Sequence, residues 1–383
     1  MDLLNFNDLL NFNDLPDDII KYIMLKTDIK DLFSLCITSK RLNIFCQSII
    51  SEKLSKETEL DTSNYTLKQL RILYENKIFG TKRIIIKYDG TLFVKDNGDV
   101  YIMGLYGEGS NSPRVIEDLK NVIKADNAGY FEVFLTKDGK VYVSGEVENL
   151  TDNTDEEANL VPNINNAVDI SADEEKLLVL LSDGTVTILT TDQEDEITIP
   201  NVKDIISVYQ NGNISYFLTK NGKIYKIDGY FDMEEIPINN VKTFQEINGC
   251  LTITQINNGK LNVLYYDRKY NKFNNYDIGN LNIIDIEPLE NAALLLDNNG
   301  DVYLIGETST KQYELLTENS KSTTPIKING LKNIIYMSVS YNDSFFVDVN
   351  KNVYVLGLNS NGELGTGDLE KRLKPTLNPN III

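Results

Sequence analysis

Most of the chain alternates apolar and polar positions with the period of two that is typical of β-strands. The stretch 350–367 shows this pattern most clearly. Val353 and Val355 fall on one side of the alternation, Tyr354 and Leu356 fall on the other, and a glycine ends the run. A polar turn precedes the run and a glycine-rich segment follows it. The stretch therefore predicts one strand of a repeating β unit.

The same combination of turn and strand occurs six more times upstream. Asn-Gly and Asp-Gly between apolar runs are typical of β-hairpins, in which both turn positions take positive φ. The seven turns are Asn97-Gly98, Asp138-Gly139, Asp183-Gly184, Asn221-Gly222, Asn258-Gly259, Asn299-Gly300 and Asn350-Lys351. Lysine stands in the last unit where the other six carry glycine, which predicts a different turn there.

The spacing between successive turns is 37 to 51 residues. A period of about 40 residues with several short strands per unit is typical of a β-propeller. We therefore predict a mainly β fold, in which a seven-bladed β-propeller over residues 82–383 follows a small all-α domain. Strands at 83–86 and 380–383, contributed from the two ends of this region, could close the ring and remove its open edges.

Residues 15–48 follow a helical period instead. Leu15 is followed by a proline and two acidic residues, which favours a helix start, and isoleucines then recur at helical spacing. A helical connector is predicted for 49–81. Residues 1–14 contain a perfect tandem hexapeptide and form a duplicated N-terminal tail, which is either a simple gene duplication or an extra hydrophobic anchor.

Composition excludes several classes of function. The 383-residue chain has no histidine and no tryptophan, which removes histidine-based nucleophile schemes and most transition-metal sites. No motif predicts a cofactor or a metal. The glycine-rich segment carries Glu363 where a phosphate-binding loop needs lysine, so it predicts a blade loop. We therefore expect a non-enzyme.

Charge and cysteine content point to a soluble partner-binding protein. The net charge is −20, of which −18 falls after residue 80, so nucleic-acid and membrane-surface binding are not expected. Three cysteines form no disulfide framework and predict reduced thiols. With no signal peptide and no transmembrane segment, we expect a cytoplasmic or nuclear location, or the host cell if the source is viral. Abundant Asn, Ile, Lys and Asp hint at an AT-rich genome.

The N-terminal helical region resembles an F-box. The resemblance rests on Leu15-Pro16, the acidic pair, the isoleucine stripe, the segment 31–35 and Ser39-Lys40-Arg41-Leu42, with Leu42 in place of the family's aromatic residue. An F-box implies docking onto a Skp1-type adaptor of a cullin-based ubiquitin ligase. The adaptor-binding residues implied by the resemblance are Leu15, Pro16, Ile19, Ile20, Ile23, Leu32, Leu35 and Leu42. The alternative is an ordinary helical cap on the larger domain.

The repeated units resemble the RCC1 repeat, through Asp-Gly-x-Val-Tyr-x-x-Gly and the segment 357–367. The resemblance covers about 300 residues and weakens in the third and fifth units. The repeat's usual tryptophan is replaced by Met103 or Leu356, and its usual histidine by Phe131 or Asp343. The resemblance extends to one branch of the family that senses light through tryptophan, and the missing tryptophans exclude that activity here. Another branch catalyses guanine nucleotide exchange on a small GTPase, and no residue of this sequence supports carrying that activity over.

Acidic residues cluster after the strand pairs of three consecutive units. They are Asp152, Asp155, Glu156, Glu157, Asp192, Glu194, Asp195, Glu196, Asp232, Glu234 and Glu235. Because equivalent loops of neighbouring blades emerge on one side of a propeller, these acids predict an arc that recruits a basic partner. The alternative is that they are solvated loops that favour solubility.

The function predicted from the sequence is a substrate-recognition adaptor of a Skp1-cullin-F-box ubiquitin ligase. The F-box would dock the adaptor, and the propeller would bind the target protein, whose identity and binding face the sequence does not specify. Two alternatives remain at this point: an RCC1-type regulator of a small GTPase or of chromatin, and a non-catalytic scaffold.

Overall fold

The computed structural model describes residues 15–38, 40–79, 83–87, 90–104, 110–117, 119–145, 150–151, 158–191, 197–198, 202, 204–228, 233–247, 250–267, 272–289, 292–307, 321–340 and 342–383. Four helices come first within these residues: α1 (Asp17–Lys26), α2 (Ile29–Thr38), α3 (Lys40–Thr58) and α4 (Leu67–Phe79). We call α1–α4 the helical module. Helix α3 runs without a break across the predicted boundary between F-box and connector.

The start of α1 is tied to α3 by Arg41. Its guanidinium Nη2 donates to the carbonyl oxygen of Leu15 at 2.7 Å and to Asp17 Oδ1 at 2.6 Å. Asp17 and Asp18 lie in the first turn of α1, where the helix dipole favours negative charge. Ile20 and Met24, one turn apart, bury the inner face of the helix. The helix start predicted from Leu15-Pro16 is confirmed.

A disulfide joins Cys36 of α2 to Cys46 of α3, with their Cα atoms 6.0 Å apart. The expectation that all cysteines are reduced is therefore wrong for this pair. The two residues are ten positions apart and lie on the buried, facing sides of two packed helices. Sequence spacing alone does not reveal that approach.

The rest of the described chain forms seven four-stranded antiparallel sheets, each made from consecutive strands. Blade 1 is β1 (Ile84–Lys87), β2 (Gly90–Val94), β3 (Val100–Gly104) and β4 (Ser110–Val115); blade 2 is β5 (Val122–Asn127), β6 (Phe131–Thr136), β7 (Val141–Gly145) and β8 (Asn159–Leu160). Blade 3 is β9 (Ala167–Asp173), β10 (Lys176–Leu181), β11 (Val186–Thr190) and β12 (Ile197–Thr198); blade 4 is β13 (Ile205–Asn211), β14 (Ile214–Thr219), β15 (Ile224–Asp228) and β16 (Met233–Ile236).

Blade 5 is β17 (Val241–Ile247), β18 (Cys250–Asn257), β19 (Lys260–Asp267) and β20 (Lys272–Asn275). Blade 6 is β21 (Ile283–Leu289), β22 (Ala292–Asp297), β23 (Val302–Glu307) and β24 (Lys321–Lys327), and blade 7 is β25 (Ile334–Val339), β26 (Asp343–Asp348), β27 (Val353–Gly357) and β28 (Arg372–Leu377). The predicted seven-bladed propeller is confirmed.

The ring does not close by strand exchange, so that prediction is wrong. Strand β1 is the first strand of blade 1, β28 ends blade 7, and residues 381–383 form no strand. Each blade already holds four strands from its own stretch of chain. Closure comes instead from contacts between the blades: Ser338 Oγ donates to Ile84 O at 2.8 Å, and in the loop between β27 and β28 Gly367 N donates to Asn111 O at 2.8 Å. Thr91 Oγ1 also donates to Glu363 O at 2.9 Å.

The turns between second and third strands are of two kinds. Only in blade 5 are both residues at positive φ, with Asn258 at 51° and Gly259 at 72°. The other units have longer turns with one left-handed residue. Their second and third strands stop pairing farther from the turn, and in blade 1 the last pair before the turn is Val94 with Val100. Lys351 takes that position in blade 7 with φ of 67°, so the different turn predicted there is wrong.

Because consecutive strands are antiparallel, the propeller has two distinct faces. The links between first and second strands and between third and fourth strands lie on one side, which we call the loop face. The turns between second and third strands and the links between blades lie on the other side, which we call the turn face.

The helical module packs on the turn face against blades 5, 6 and 7. Asp61 N donates to Gly259 O at 2.7 Å, and Gln69 Nε2 donates to Asn299 Oδ1 at 2.9 Å. Asn76 Nδ2 of α4 donates to Ile335 O and to Asp285 Oδ2, both at 2.9 Å. One hydrophobic cluster contains side chains of α1–α4, of blades 6 and 7 and of the start of blade 1. The helices and the propeller therefore share a core.

Candidate functional site

The residues predicted to bind an adaptor divide by exposure. Ile20, Leu32 and Leu42 are buried in the core of the helical module, where they hold α1, α2 and α3 together. Leu15, Ile23 and Leu35 are half-buried, and Pro16 and Ile19 are exposed. The structure thus places three of the eight residues inside the domain and leaves five at least partly accessible.

Further apolar side chains are exposed beside them. Tyr22 and Leu25 follow Ile19 along α1 at intervals of three residues, and Tyr22 is 63% exposed. Ile44 of α3 is 74% exposed and lies three residues after Arg41, on the same face of that helix. We call Pro16, Ile19, Tyr22, Leu25 and Ile44 the F-box apolar patch. Large side chains grouped in this way on a small domain mark an interaction surface.

Sequence reasoning missed Tyr22, Leu25 and Ile44. The buried pair Ile20 and Met24 defines the inner stripe of α1, so residues away from that stripe face outward. The position of Tyr22 and Leu25 outside the stripe of Ile20 and Met24 was the signal available in the sequence. It was missed because the adjacent Ile19 and Ile20 were assigned to one apolar stripe.

The centre of the ring holds a cavity of about 300 Å³ lined by residues of the first strands and of the links that follow them. Five carboxylates line it, from Asp126, Asp173, Glu174, Glu246 and Glu287, together with the single cation of Lys87. Of these residues, Asp126, Asp173 and Glu246 are buried. The cavity is therefore strongly acidic at the end of the first strands, which is the loop face.

Ion pairs and hydrogen bonds across neighbouring blades order this cavity. Lys87 Nζ lies 2.9 Å from Asp126 Oδ1 and donates to Ala172 O at 2.7 Å. Asp126 Oδ2 accepts from Ala172 N at 3.0 Å. Tyr209 donates through its hydroxyl to Glu246 O at 2.6 Å, and burial raises the pKa of this phenol well above its usual value. These bonds hold the lining side chains in place without a bound partner.

Of the predicted acidic loop residues, only Glu234 and Glu235 lie in the described part of the chain. Both belong to strand β16 rather than to a loop. Glu234 Oε2 is 3.0 Å from Lys226 Nζ, and Glu235 Oε1 is 2.9 Å from Lys223 Nζ, because these strands pair side by side. Outside the described residues are Asp152, Asp155, Glu156, Glu157, Asp192, Glu194, Asp195, Glu196 and Asp232.

Comparison with known families assigns the N-terminal part. Residues 12–54 match the model of the F-box domain. This chain therefore carries an F-box domain in front of a seven-bladed propeller. F-box domains in general bind Skp1, and this combination supports a protein-interaction adaptor. No curated protein matches the sequence.

Solved structures resemble the propeller. Yeast RCC1 (Prp20), in the structure bound to Kap60, has a TM-score of 0.63 at 15% identity, with 80% of this chain and 89% of that chain covered. Prp20p from Saccharomyces cerevisiae, in a structure described with its binding to Gsp1p and histones, has a TM-score of 0.61 at 14% identity over 79% and 89%. Human WBSCR16 has a TM-score of 0.59 at 14% identity over 70% and 84%.

At these identities the likeness establishes the fold alone, which is that of the RCC1 propeller. F-box and RCC1-like propeller families are typically non-catalytic adaptors or regulators. Among the helices that the structure describes, none combines the length and apolar character needed to cross a bilayer.

Proposed function

We propose that this protein is a non-catalytic substrate-recognition subunit of a Skp1-cullin-F-box ubiquitin ligase. The F-box docks the adaptor through the F-box apolar patch, with Leu15, Ile23 and Leu35 at its edge. The propeller holds the target protein. Ubiquitin transfer is carried out by other subunits of the ligase.

The shared core of helices and propeller carries the proposal. A substrate receptor has to hold its target at a defined position relative to the adaptor. Here α4 contacts both the F-box helices and blades 6 and 7, and Phe33 of α2 packs on Tyr74 of α4 with ring centres 5.6 Å apart. Lys53 Nζ of α3 also donates to Thr27 O, at 3.0 Å. Together with the bonds from Asn76 of α4 to blades 6 and 7, these contacts support a rigid joint between the F-box helices and the propeller.

The placement of the helical module supports the loop face as the target-binding face. The module covers part of the turn face, and among the described residues it leaves the opposite face with its acidic central cavity uncovered. A target with basic side chains would complement that charge. The acidic loop residues at 152–157, 192–196 and 232 belong to links between third and fourth strands and are proposed to extend the same acidic face.

Adaptor binding tests the proposal. Isothermal titration calorimetry would measure the affinity of the purified protein for a purified Skp1-type adaptor. We expect the double variant Pro16→Ala/Ile19→Asp to bind at least about tenfold more weakly, because it removes exposed apolar contact area without touching the core. Leu160→Asp, which changes an exposed leucine on blade 2, is the matched control and should bind as the parent does.

Two outcomes would count against this function. An adaptor that fails to bind the parent protein would leave the scaffold function in place of the ligase function. Binding to a nucleotide-free small GTPase, with no adaptor binding, would favour an RCC1-type regulator.

A further inference from the structure

Within the described residues, six blades carry a β-bulge at one equivalent position. In each, the first strand has one extra residue between two registered pairs near the turn face. The extra residues are Ile123, Val168, Ile206, Lys242, Ile284 and Ile335, in blades 2 to 7 respectively. Five of these six are β-branched and apolar.

In blades 6 and 7 the helical module covers the bulge. Ile335 is fully buried and Ile284 is 9% exposed, and both belong to the hydrophobic cluster that includes α4. Asn76 of α4 adds a hydrogen bond to the carbonyl oxygen of Ile335 at 2.9 Å. In blade 5 the bulge residue is Lys242, whose Nζ lies 2.7 Å from Glu59 of the helical module.

In blades 2, 3 and 4 the equivalent side chains are exposed. Ile123 is 41% exposed, and Val168 and Ile206 are each 51% exposed. They stand on three consecutive blades, and the first strands of these blades pack against each other around the central cavity. We call these three residues the bulge arc.

We propose that the bulge arc is a docking site for an amphipathic helix of a partner protein. The argument is continuity with the interface made by α4. The same ring of bulge positions is covered by a helix over blades 6 and 7 and uncovered over blades 2 to 4. A second helix on the turn face would cover the exposed bulge residues of blades 2 to 4 as α4 covers Ile284 and Ile335.

The chemistry of the partner helix follows from α4. Ile72 and Leu73 of α4 are buried, and Asn76, one turn further on, supplies the side-chain donor to Ile335 O. The partner helix therefore carries an apolar stripe with a carboxamide or another neutral donor beside it. Next to the arc, Lys124 pairs with Asp169, and Asp169 Oδ2 also accepts from Val208 N at 3.1 Å. Because these charges are already paired with each other, we expect the contact face of the partner helix to carry no net charge.

A peptide of α4 itself is the probe for this site. A labelled peptide of residues 66–79, titrated with the intact protein and followed by fluorescence anisotropy, should show saturable binding. The variant Val168→Asp/Ile206→Asp should weaken that binding by at least about tenfold, since it replaces two apolar contacts with charge. A peptide with Asn76→Ala should also bind more weakly because its donor is lost.

Leu377→Asp is the matched control, since Leu377 is a 50% exposed leucine on the outer strand of blade 7. It should leave peptide binding unchanged. Absence of saturable binding, or equal weakening by the control, would overturn the proposal. Faster hydrogen exchange in residues 67–79 on adding peptide would also overturn it, because the peptide would then be displacing α4.

Self-association provides the remaining distinction. If sedimentation finds a dimer that Val168→Asp/Ile206→Asp dissociates, the arc binds a second copy of this chain and the proposed partner helix is wrong. None of these measurements depends on adaptor binding. The docking-site proposal can therefore fail while the proposed ligase function holds, and the reverse is also true.

Discussion

The backbone N–H of Asp61 donates to the carbonyl oxygen of Gly259 at 2.7 Å. This bond replaces a hydrogen bond that joins neighbouring blades elsewhere in the ring. In other blades the equivalent turn carbonyl accepts from the start of the next blade. Val122 N donates to Gly98 O at 3.2 Å, and Val241 N donates to Gly222 O at 3.0 Å. The helical module thus occupies at blade 5 the position that a neighbouring blade occupies elsewhere.

Gly259→Ala should weaken this joint. A Cβ at Gly259 would come within 2.7 Å of Asp61 Cβ and 2.8 Å of Asp61 N, in a residue with φ of +72°. We expect a loss of about 1–3 kcal/mol in the free energy of unfolding, measured by chemical denaturation. Gly279→Ala is the control, because Gly279 also has positive φ but has nothing within 4 Å of the new Cβ. Equal losses in both variants would mean that the contact with Asp61 adds nothing.

Asn76→Ala should loosen α4 from the propeller. The substitution leaves Ile335 O and Asp285 Oδ2 without the amide that donates to them, which costs about 1–3 kcal/mol for a buried polar contact. Hydrogen exchange in α4 should speed up accordingly. Lys68→Ala changes an exposed residue of the same helix and should leave exchange as in the parent. If α4 exchanges at the parent rate in both variants, the amide does not anchor the helix.

Asp285 should make stability depend on pH between about 4 and 6. Burial raises the pKa of this carboxyl from 3.8 to about 6, against the effect of hydrogen bonds from Asn76 and Ile286 N. The folded state therefore holds the proton more tightly than the unfolded state, so its contribution to stability is greatest below pH 4. That contribution is lost as the pH rises through about 6.

Asp285→Asn should remove this component. Thermal unfolding between pH 4 and 7 would compare the slopes of the melting temperature for parent and variant. The exposed Asp204→Asn serves as the control and should retain the parent's slope. A variant Asp285→Asn with an unchanged slope would assign the pH dependence to other groups.

The disulfide between Cys36 and Cys46 should leave one thiol to titrate. Denatured under non-reducing conditions, the protein should react with one equivalent of thiol reagent, at Cys250, and Cys250→Ser should react with none. Reduction should destabilise the helical module by about 2–3 kcal/mol, because the bond closes a short loop in the unfolded chain. Three reactive thiols in protein prepared without reductant would contradict the bond.

Much of the propeller could be predicted because its information is local. Alternation in runs such as 353–357 and a turn residue at each repeat set the strands, and the period set the number of blades. The bulges at Ile123 and its equivalents could not be predicted, since a bulge is defined by the partner strand's register. Ring closure was mispredicted for a similar reason, because contacts such as Gly367 with Asn111 join distant parts of the chain.

The candidate site was predictable only in part. The F-box match confirms the domain, but periodicity did not separate Ile20, which is buried, from its exposed neighbour Ile19. The position of the helical module on blades 5 to 7 rests on bonds such as Asp61 to Gly259. The sequence around Asp61 and around Gly259 contains no pattern that predicts this contact. The disulfide was missed because helix packing, rather than spacing, brings its two cysteines together.

Every blade is made from one uninterrupted stretch of chain, and this gives the ring a modular character. A cut in any link between blades leaves all seven sheets complete, since in the described part of the chain each sheet takes its four strands from one stretch. The chain could likewise gain or lose a whole blade without changing any strand pairing within the others. The contacts that hold blade 7 to blade 1, from that loop and from Ser338 to Ile84 O, would then have to adapt to a new circumference.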